Sequence, residues 1–268
     1  MTGNLKYSIV TVVLNRRAYI GKAIENVLAQ GYANLEHIII DGGSTDGTLE
    51  VIKAYPHLRW ISEPDEGSVF ALNKGLRLVT GDIFGWLNSD ESYLPGTLEI
   101  VADYFDAHPE WDVISGASEF VDEDGGLIGR RRSHKFNLRR EIIGFNYLAV
   151  PSSVFVRTGA LRAVGSQVDT SLRHIYDHDL WIRLGMAHRM ANVRECLSRF
   201  GIHPDSGLVR TPTASLQEVA KVRERYRDYL TFWDRTIGVA YYHLYMTLYL
   251  CLKWRGIVMR SRKSRAKT

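Results

Sequence analysis

Apolar residues in the N-terminal third of the chain fall in short unbroken runs, and each run is followed by a stretch in which they recur every three or four positions. Short runs predict buried strands, and the longer period predicts helices with one apolar face. Tyr7–Leu14, Leu35–Asp41, Arg59–Ser62 and Asp82–Asn88 read as strands, with Ala18–Gln30, Thr48–Tyr55 and Gly67–Val79 as the helices between them. Strands this apolar, joined by helical crossovers, predict a mostly parallel sheet covered on both faces. Ligands of such sheets bind beyond the carboxyl ends of the strands. Polar segments occur at those places: Asn15, Asp41–Gly47, Glu63–Gly67 and Asn88–Glu91 each follow a strand, so all four should meet at one edge.

The second half is patterned less clearly. Between Trp111 and Phe155 the pattern suggests shorter strands, a turn at Asp122–Gly126 and a basic stretch at Arg130–Arg132; Asp177–Met186 then starts a helix. Leu216–Phe232 reads as a charged, solvent-facing helix. No internal repeat or low-complexity tract interrupts the chain.

With 268 residues, 45% of them hydrophobic and 24% charged, the chain can bury one substantial core, which excludes disorder as the main state. The net charge of +4 is unevenly spread. Arg235–Thr268 holds eight Lys or Arg and no acid, which leaves the remainder at −4. This asymmetry divides the chain into a main domain, 1–234, and an extension, 235–268. It argues against nucleic-acid binding by the body and for a local anionic partner of the tail. Cys196 and Cys251 fit no metal spacing or disulfide framework. The N-terminus carries no secretory pattern, so a cytoplasmic setting is expected.

Four segments carry candidate chemistry. In Asp41-Gly42-Gly43-Ser44-Thr45-Asp46-Gly47-Thr48, the glycines permit close approach of a ligand, and Asp41 can accept from a ribose or a base N–H; alternatively Ser44 or Asp46 simply caps the next helix. In Glu63-Pro64-Asp65-Glu66-Gly67 and Ala71-Leu72-Asn73-Lys74-Gly75, Asp65, Asn73 and Lys74 can face one ligand bearing hydroxyls and phosphates, or form a turn and a capped helix. In Trp86-Leu87-Asn88-Ser89-Asp90-Glu91, Asp90 suits Mg²⁺ or Mn²⁺ and Asn88 or Ser89 a ribose, although Asn-Ser-Asp is also ordinary turn chemistry. In Tyr176-Asp177-His178-Asp179-Leu180-Trp181-Ile182-Arg183-Leu184, the two acids cannot share a helix face. One can act as a general base while the other caps the helix or pairs with Arg183.

In this order the segments resemble glycosyltransferase family 2, inverting enzymes of the GT-A fold, over roughly residues 7 to 205. The resemblance implies an α/β, Rossmann-like, mostly parallel sheet flanked by helices, with a C-terminal helical extension. It implies transfer of a sugar from a nucleotide-diphosphate donor, foremost a UDP-sugar with GDP- or dTDP-sugars as alternatives, to a glycan or lipid-linked acceptor. Asp41 would contact the nucleoside, Asn88-Ser89-Asp90 would stand as the DXD motif with Asp90 on Mn²⁺ or Mg²⁺, and Asp177 would be the catalytic base. Thr11 and Asn15, on and after the first strand, join the substrate-binding set. His203 resembles the late histidine that approaches the metal or diphosphate. Two positions depart from the pattern: Asn88 stands for the first Asp, and Tyr176 for the acid of a Glu-Asp pair. The Gln-x-x-Arg-Trp pattern of processive synthases is absent, which implies one sugar per encounter. A non-catalytic nucleotide-sugar or carbohydrate-binding protein on the same fold is the alternative.

Ile237–Leu252 is 16 residues without formal charge, followed by seven cations from Lys253 to Lys267. The run falls short of the roughly 20 apolar residues a membrane span needs, and Tyr241, Tyr245 and Tyr249 share a helical face. It is expected to lie in the interface of the inner membrane, on the cytoplasmic face, or else to dock on protein.

Overall fold

The computed structural model describes residues 5–122, 125–144, 150–202 and 212–240, with Leu244 and Thr247. Four strands, β1 (Tyr7–Val13), β2 (Leu35–Asp41), β3 (Arg59–Ser62) and β4 (Ile83–Trp86), lie in the order β3-β2-β1-β4 and are parallel. The crossovers are α1 (Arg17–Leu28), α2 (Thr48–Lys53) and α3 (Ser68–Leu78). The pattern assigned no element to the next stretch, where β5 (Glu91–Tyr93) and α4 (Thr97–Ala107) form. Helix α4 buries Leu98, Val101, Ala102 and Phe105, a helical stripe against the sheet.

The sheet continues with β6 (Val113–Val121), β7 (Leu127–Arg131), β8 (Val154–Arg157) and β9 (Met190–Gly201), giving β3-β2-β1-β4-β8-β6-β9-β5 with β7 beside β6. Strands β8, β7 and β5 run against the others. The register of β9 shifts twice against β6, so its apolar residues do not alternate, and no strand is legible there from pattern alone. Among the described residues the helices α5 (Leu138–Ile143), α6 (Thr158–Ala163), α7 (Tyr176–Ala187) and α8 (Pro212–Arg225) follow, with a π-helical turn, Asp234–Gly238, beyond them.

Alternation along β1 decides which layer each side chain enters. Val10 and Val12 join the core beneath α3, α6 and α7, whereas Ile9 and Val13 face the opposite helices. Helix α3 comes so close to β1 that a Cβ at Gly75 would lie 2.5 Å from Val10 Cγ1. Helix α8 is not the solvent-facing helix the charge pattern suggests: Val219, Val222 and Glu218 are buried, and it closes the core beside α5 and α7.

Among the described residues two histidines, His37 and His178, are enclosed. Burial, with His57 adding to it, holds His37 down to about 3. Burial holds His178 at about 4 against the opposing pull of the Glu141 carbonyl, 2.7 Å from Nε2, and of Asp179. Both are therefore neutral in the folded protein at pH 7. Below the unfolded value of about 6.5 the unfolded chain binds protons that these sites refuse, so their stability contribution is full above that pH and lost as pH falls toward the folded values. Thermal melts at pH 7.5, 6 and 5 should show a midpoint that falls below pH 6.5, with each histidine costing up to about 1.4 kcal/mol per pH unit. A midpoint independent of pH over that range would contradict neutral burial.

Candidate active site

The carboxyl ends of β1 to β4 bring the four polar segments to one edge. Asp41, the last residue of β2, is fully buried; its carboxylate accepts from Ser62 Oγ at 2.6 Å, from the Ser44 amide at 3.1 Å and from the Ser44 hydroxyl. Asn15 ties the end of β1 to the same loop. It adopts φ 51°, its amide donates to Ser44 Oγ at 2.7 Å, and its Oδ1 accepts from the Thr45 amide at 2.9 Å. Asn tolerates this left-handed conformation better than most residues. Gly43, at φ +85°, lets the loop lie on the β3–α3 connection, since a Cβ there would stand 3.1 Å from Pro64 N.

Asp65 lies in that connection. Its Oδ1 accepts from the Gly67 amide at 2.9 Å, while Oδ2, buried beside Gly42, has no hydrogen-bond partner among the described residues. An unsatisfied buried acceptor is costly, and an N–H or O–H of a ligand at this rim would satisfy it.

At the end of β4, Trp86 Nε1 donates to Asn88 Oδ1 at 3.0 Å, and Asn88 Nδ2 donates to Glu91 at 2.7 Å. This gives the departure at position 88 a physical reason. An aspartate there would set a second carboxylate against buried Glu91, whereas the amide donates to it. Burial first, and then the charge of Asp90, push the Glu91 carboxyl up to about 7. Ser89 is buried and Asp90 half-buried in the turn leading to β5.

Helix α7 supplies the opposite wall. Tyr176 stacks on Trp86 with ring centroids 5.5 Å apart and 19° between planes, and its hydroxyl lies 3.0 Å from Ser68 Oγ. Asp177 is buried in the first turn, where the helix dipole favours a carboxylate. Asp179 is committed elsewhere: it accepts from Arg183 Nε at 2.9 Å, from Arg225 Nη1 at 2.8 Å and from the Tyr226 hydroxyl at 2.9 Å. The Arg183 pairing is one of the two roles open to the second acid of this segment. Glu218 of α8 captures the loop before the helix, accepting from the amides of Arg173 at 2.7 Å, His174 at 2.8 Å and Ile175 at 3.2 Å.

Three residues of the substrate-binding set are engaged differently from expectation. Thr11 faces away from the edge; fully buried, it shares a 3.0 Å hydrogen bond with His37 Nε2, because odd positions of β1 point toward α1 and α2. Asn73 is committed to the main chain, donating to the Val168 carbonyl at 2.9 Å and accepting from its amide at 2.8 Å, so it joins α3 to the loop before α7. Lys74 pairs with Glu63 at 2.8 Å. His203 lies outside the described residues.

No pattern in the chain assigned a role to Glu91, Glu218, Arg225 or Tyr226. Only the apolar spacing of Val219 and Val222 signalled that one side of α8 is covered. Because Glu218 holds the loop that precedes Asp177, Glu218→Gln should lower kcat by about tenfold to a hundredfold with donor KM little changed, the signature of a displaced reacting group. Steady-state kinetics read this, and equal changes in both parameters would argue against it. A cavity of about 430 Å³ opens among Thr80, Asp82, Asp112, Arg157 and His188, at the amino ends of the parallel strands and away from all of these groups.

The family model of glycosyl transferase family 2 matches residues 8–166. The chain belongs to this family. It is a glycosyltransferase, in line with its relatives. An uncharacterized glycosyltransferase of Rickettsia typhi is 27% identical over 224 residues, covering 79% of this chain and 68% of the relative. One from Mycobacterium tuberculosis is 26% identical over 245 residues, covering 90% of this chain and 91% of the relative. Staphylococcus aureus TarS 1-349 in complex with UDP-GlcNAc superposes with a TM-score of 0.67 at 18% identity, over 82% of this chain and 65% of that one. The mannosyltransferase PcManGT of Pyrobaculum calidifontis, in complex with GDP-Man and Mn²⁺, gives 0.58 at 17% identity, over 76% of this chain and 59% of that one. At such identities the likeness establishes the GT-A fold of this family member, and the chain spans 39% of the longer TarS chain.

Proposed function

We propose that this protein moves one sugar per encounter from a nucleotide-diphosphate sugar to an acceptor hydroxyl with inversion at the anomeric carbon. The reaction would serve assembly of cell-surface polysaccharide or glycolipid by an enzyme peripheral to the cytoplasmic face of the membrane. One observation carries the reading: the Tyr176–Trp86 stack holds the first turn of α7, with Asp177, against the end of β4 that leads into Asn88-Ser89-Asp90. A base and a diphosphate site on facing walls is the arrangement a single displacement requires.

The nucleoside is assigned to the rim formed by Asn15, Asp41 and Asp65, whose orphan Oδ2 suits a base N–H or a ribose hydroxyl. A UDP-sugar is the first candidate; TarS has been solved with UDP-GlcNAc and PcManGT with GDP-Man. Among the described residues no group of three His, Cys, Asp or Glu could hold a metal. The hard oxygen of Asp90 nevertheless fits Mg²⁺ or Mn²⁺, which commonly take one or two protein carboxylates and complete their shell with substrate phosphates and water. Bound there, the cation would neutralise charge on the departing diphosphate. Asp177 takes the proton of the acceptor hydroxyl. That oxygen forms its bond to the anomeric carbon as the bond to the diphosphate oxygen breaks, and the nucleoside diphosphate leaves from the opposite face.

The test is a panel of UDP-, GDP- and dTDP-sugars with the purified protein and Mn²⁺ or Mg²⁺. One donor should raise the melting temperature and be turned over, and the product should carry the opposite anomeric configuration by NMR. Asp90→Ala should cost at least about a hundredfold in turnover. A product of retained configuration would sink the mechanism, and unchanged turnover in Asp90→Ala the metal assignment.

A further inference from the structure

Two segments remote in sequence meet beside α5. Residues Arg130 to Arg140 hold six Lys or Arg and no acid. Arg130 is bound to Glu119 at 2.9 Å, whereas Arg132, Lys135 and Arg140 are exposed and their side chains form no ion pair among the described residues. Helix α5 packs on the π-helical turn: Arg139 lies 3.9 Å from Asp234, and a Cβ at Gly238 would sit 3.1 Å from Ile143 Cδ1. The residues leading into that turn are unusually apolar for a surface, with Tyr229 50%, Phe232 70% and Trp233 65% exposed. The Phe232 and Trp233 rings lie 5.6 Å apart in an edge-to-face pair. The acids nearby are already matched, Asp234 by Arg139 and Asp228 by Arg235 at 3.7 Å.

We propose that this face lies on an anionic lipid surface, with Phe232 and Trp233 entering the headgroup layer and Arg132, Lys135 and Arg140 meeting lipid phosphates. The inference rests on the peripheral membrane reading and gives it a location. Exposed aromatic rings suit the boundary between headgroups and acyl chains, and clustered cations suit the negative potential above anionic lipid. The charge complementarity extends along the chain, because the uncharged run 237–252 and its seven following cations continue from the same turn. The face is also fixed to the catalytic helix. The Glu141 carbonyl of α5 accepts from His178 of α7, next to Asp177, and so ties the two helices together. A protein seated this way would hold its site at a set height above the bilayer, where a lipid-linked hydroxyl is carried.

Flotation of the full chain with vesicles tests this. Vesicles of phosphatidylcholine with about one third phosphatidylglycerol should bind at least about tenfold more tightly than phosphatidylcholine alone. The combined variant Arg132→Glu, Lys135→Glu, Arg140→Glu should weaken that binding by about a hundredfold or more, taking roughly fivefold per cation near the surface. Phe232→Ser with Trp233→Ser should weaken binding to both vesicle types. Quenching of tryptophan fluorescence by brominated lipid should fall in Trp233→Phe. Donor turnover on a soluble acceptor should be unchanged in all these variants, which separates the inference from the transferase reading. Wild-type binding in the variants would overturn it, by assigning attachment to the tail alone. Failure of the wild type to bind anionic vesicles overturns the membrane reading as well, and binding to heparin but not to vesicles would replace lipid with a soluble polyanion.

Discussion

Asp177→Asn is expected to lower kcat by about a thousandfold, within the range that a positioned general base contributes, while leaving donor affinity and thermal stability near wild type. The substitution preserves shape and one acceptor oxygen in the first turn of α7 but replaces the other oxygen with an NH2 donor, and so removes the group that can take the acceptor proton. The main chain that carries Asp177 is positioned by its neighbours. Tyr176 is stacked on Trp86, and the preceding loop hangs on Glu218 through three amides. The amide variant should therefore fold normally and bind nucleotide-sugar by calorimetry with unchanged affinity. A kcat within tenfold of wild type would remove Asp177 from that role.

Asp179→Ala should have the reverse effect, a loss of about 3 kcal/mol in stability, set by the cost of breaking a buried charged pair and its hydrogen bonds. The carboxylate is only 1% exposed and joins Arg183 of α7 to Arg225 and Tyr226 of the α8 region. Removing it leaves two guanidiniums without this partner. Both are partly exposed and can turn toward water, which holds the cost near the lower end of the range for such deletions. Urea unfolding read by circular dichroism measures it, and a change under 1 kcal/mol would mean that α8 is held by its apolar face alone. Two acids two residues apart thus separate cleanly, one read in rate and the other in stability.

The parallel half of the molecule was legible because its signals are local. Buried parallel strands read as unbroken apolar runs, and helices on the sheet show a stripe of period 3.6, so β1 to β4 and α1 to α3 sit close to where the pattern sets them. The polar segments after those strands had to converge, because parallel strands end on the same side. The mixed half, β5 to β9, was obscure for an equally physical reason. Its pairing joins distant residues, as where Glu91 meets Phe200, and the register of β9 slips against β6, so no short window contains the pattern.

By itself the sequence determined the order of the polar segments, their attachment to strand ends, and through these the family and the edge where chemistry is sought. Orientation and partnership were decided by the tertiary structure. Thr11 turned inward because of its parity on β1, Asn73 was taken by Val168, and Asn88 proved to be the donor that a buried Glu91 needs. Of the two acids in α7, only the arrival of Arg225 and Tyr226 from another helix assigned Asp179 to the scaffold. A side chain's chemical type is written in the chain, but its free lone pairs and protons depend on which distant groups folding brings to it.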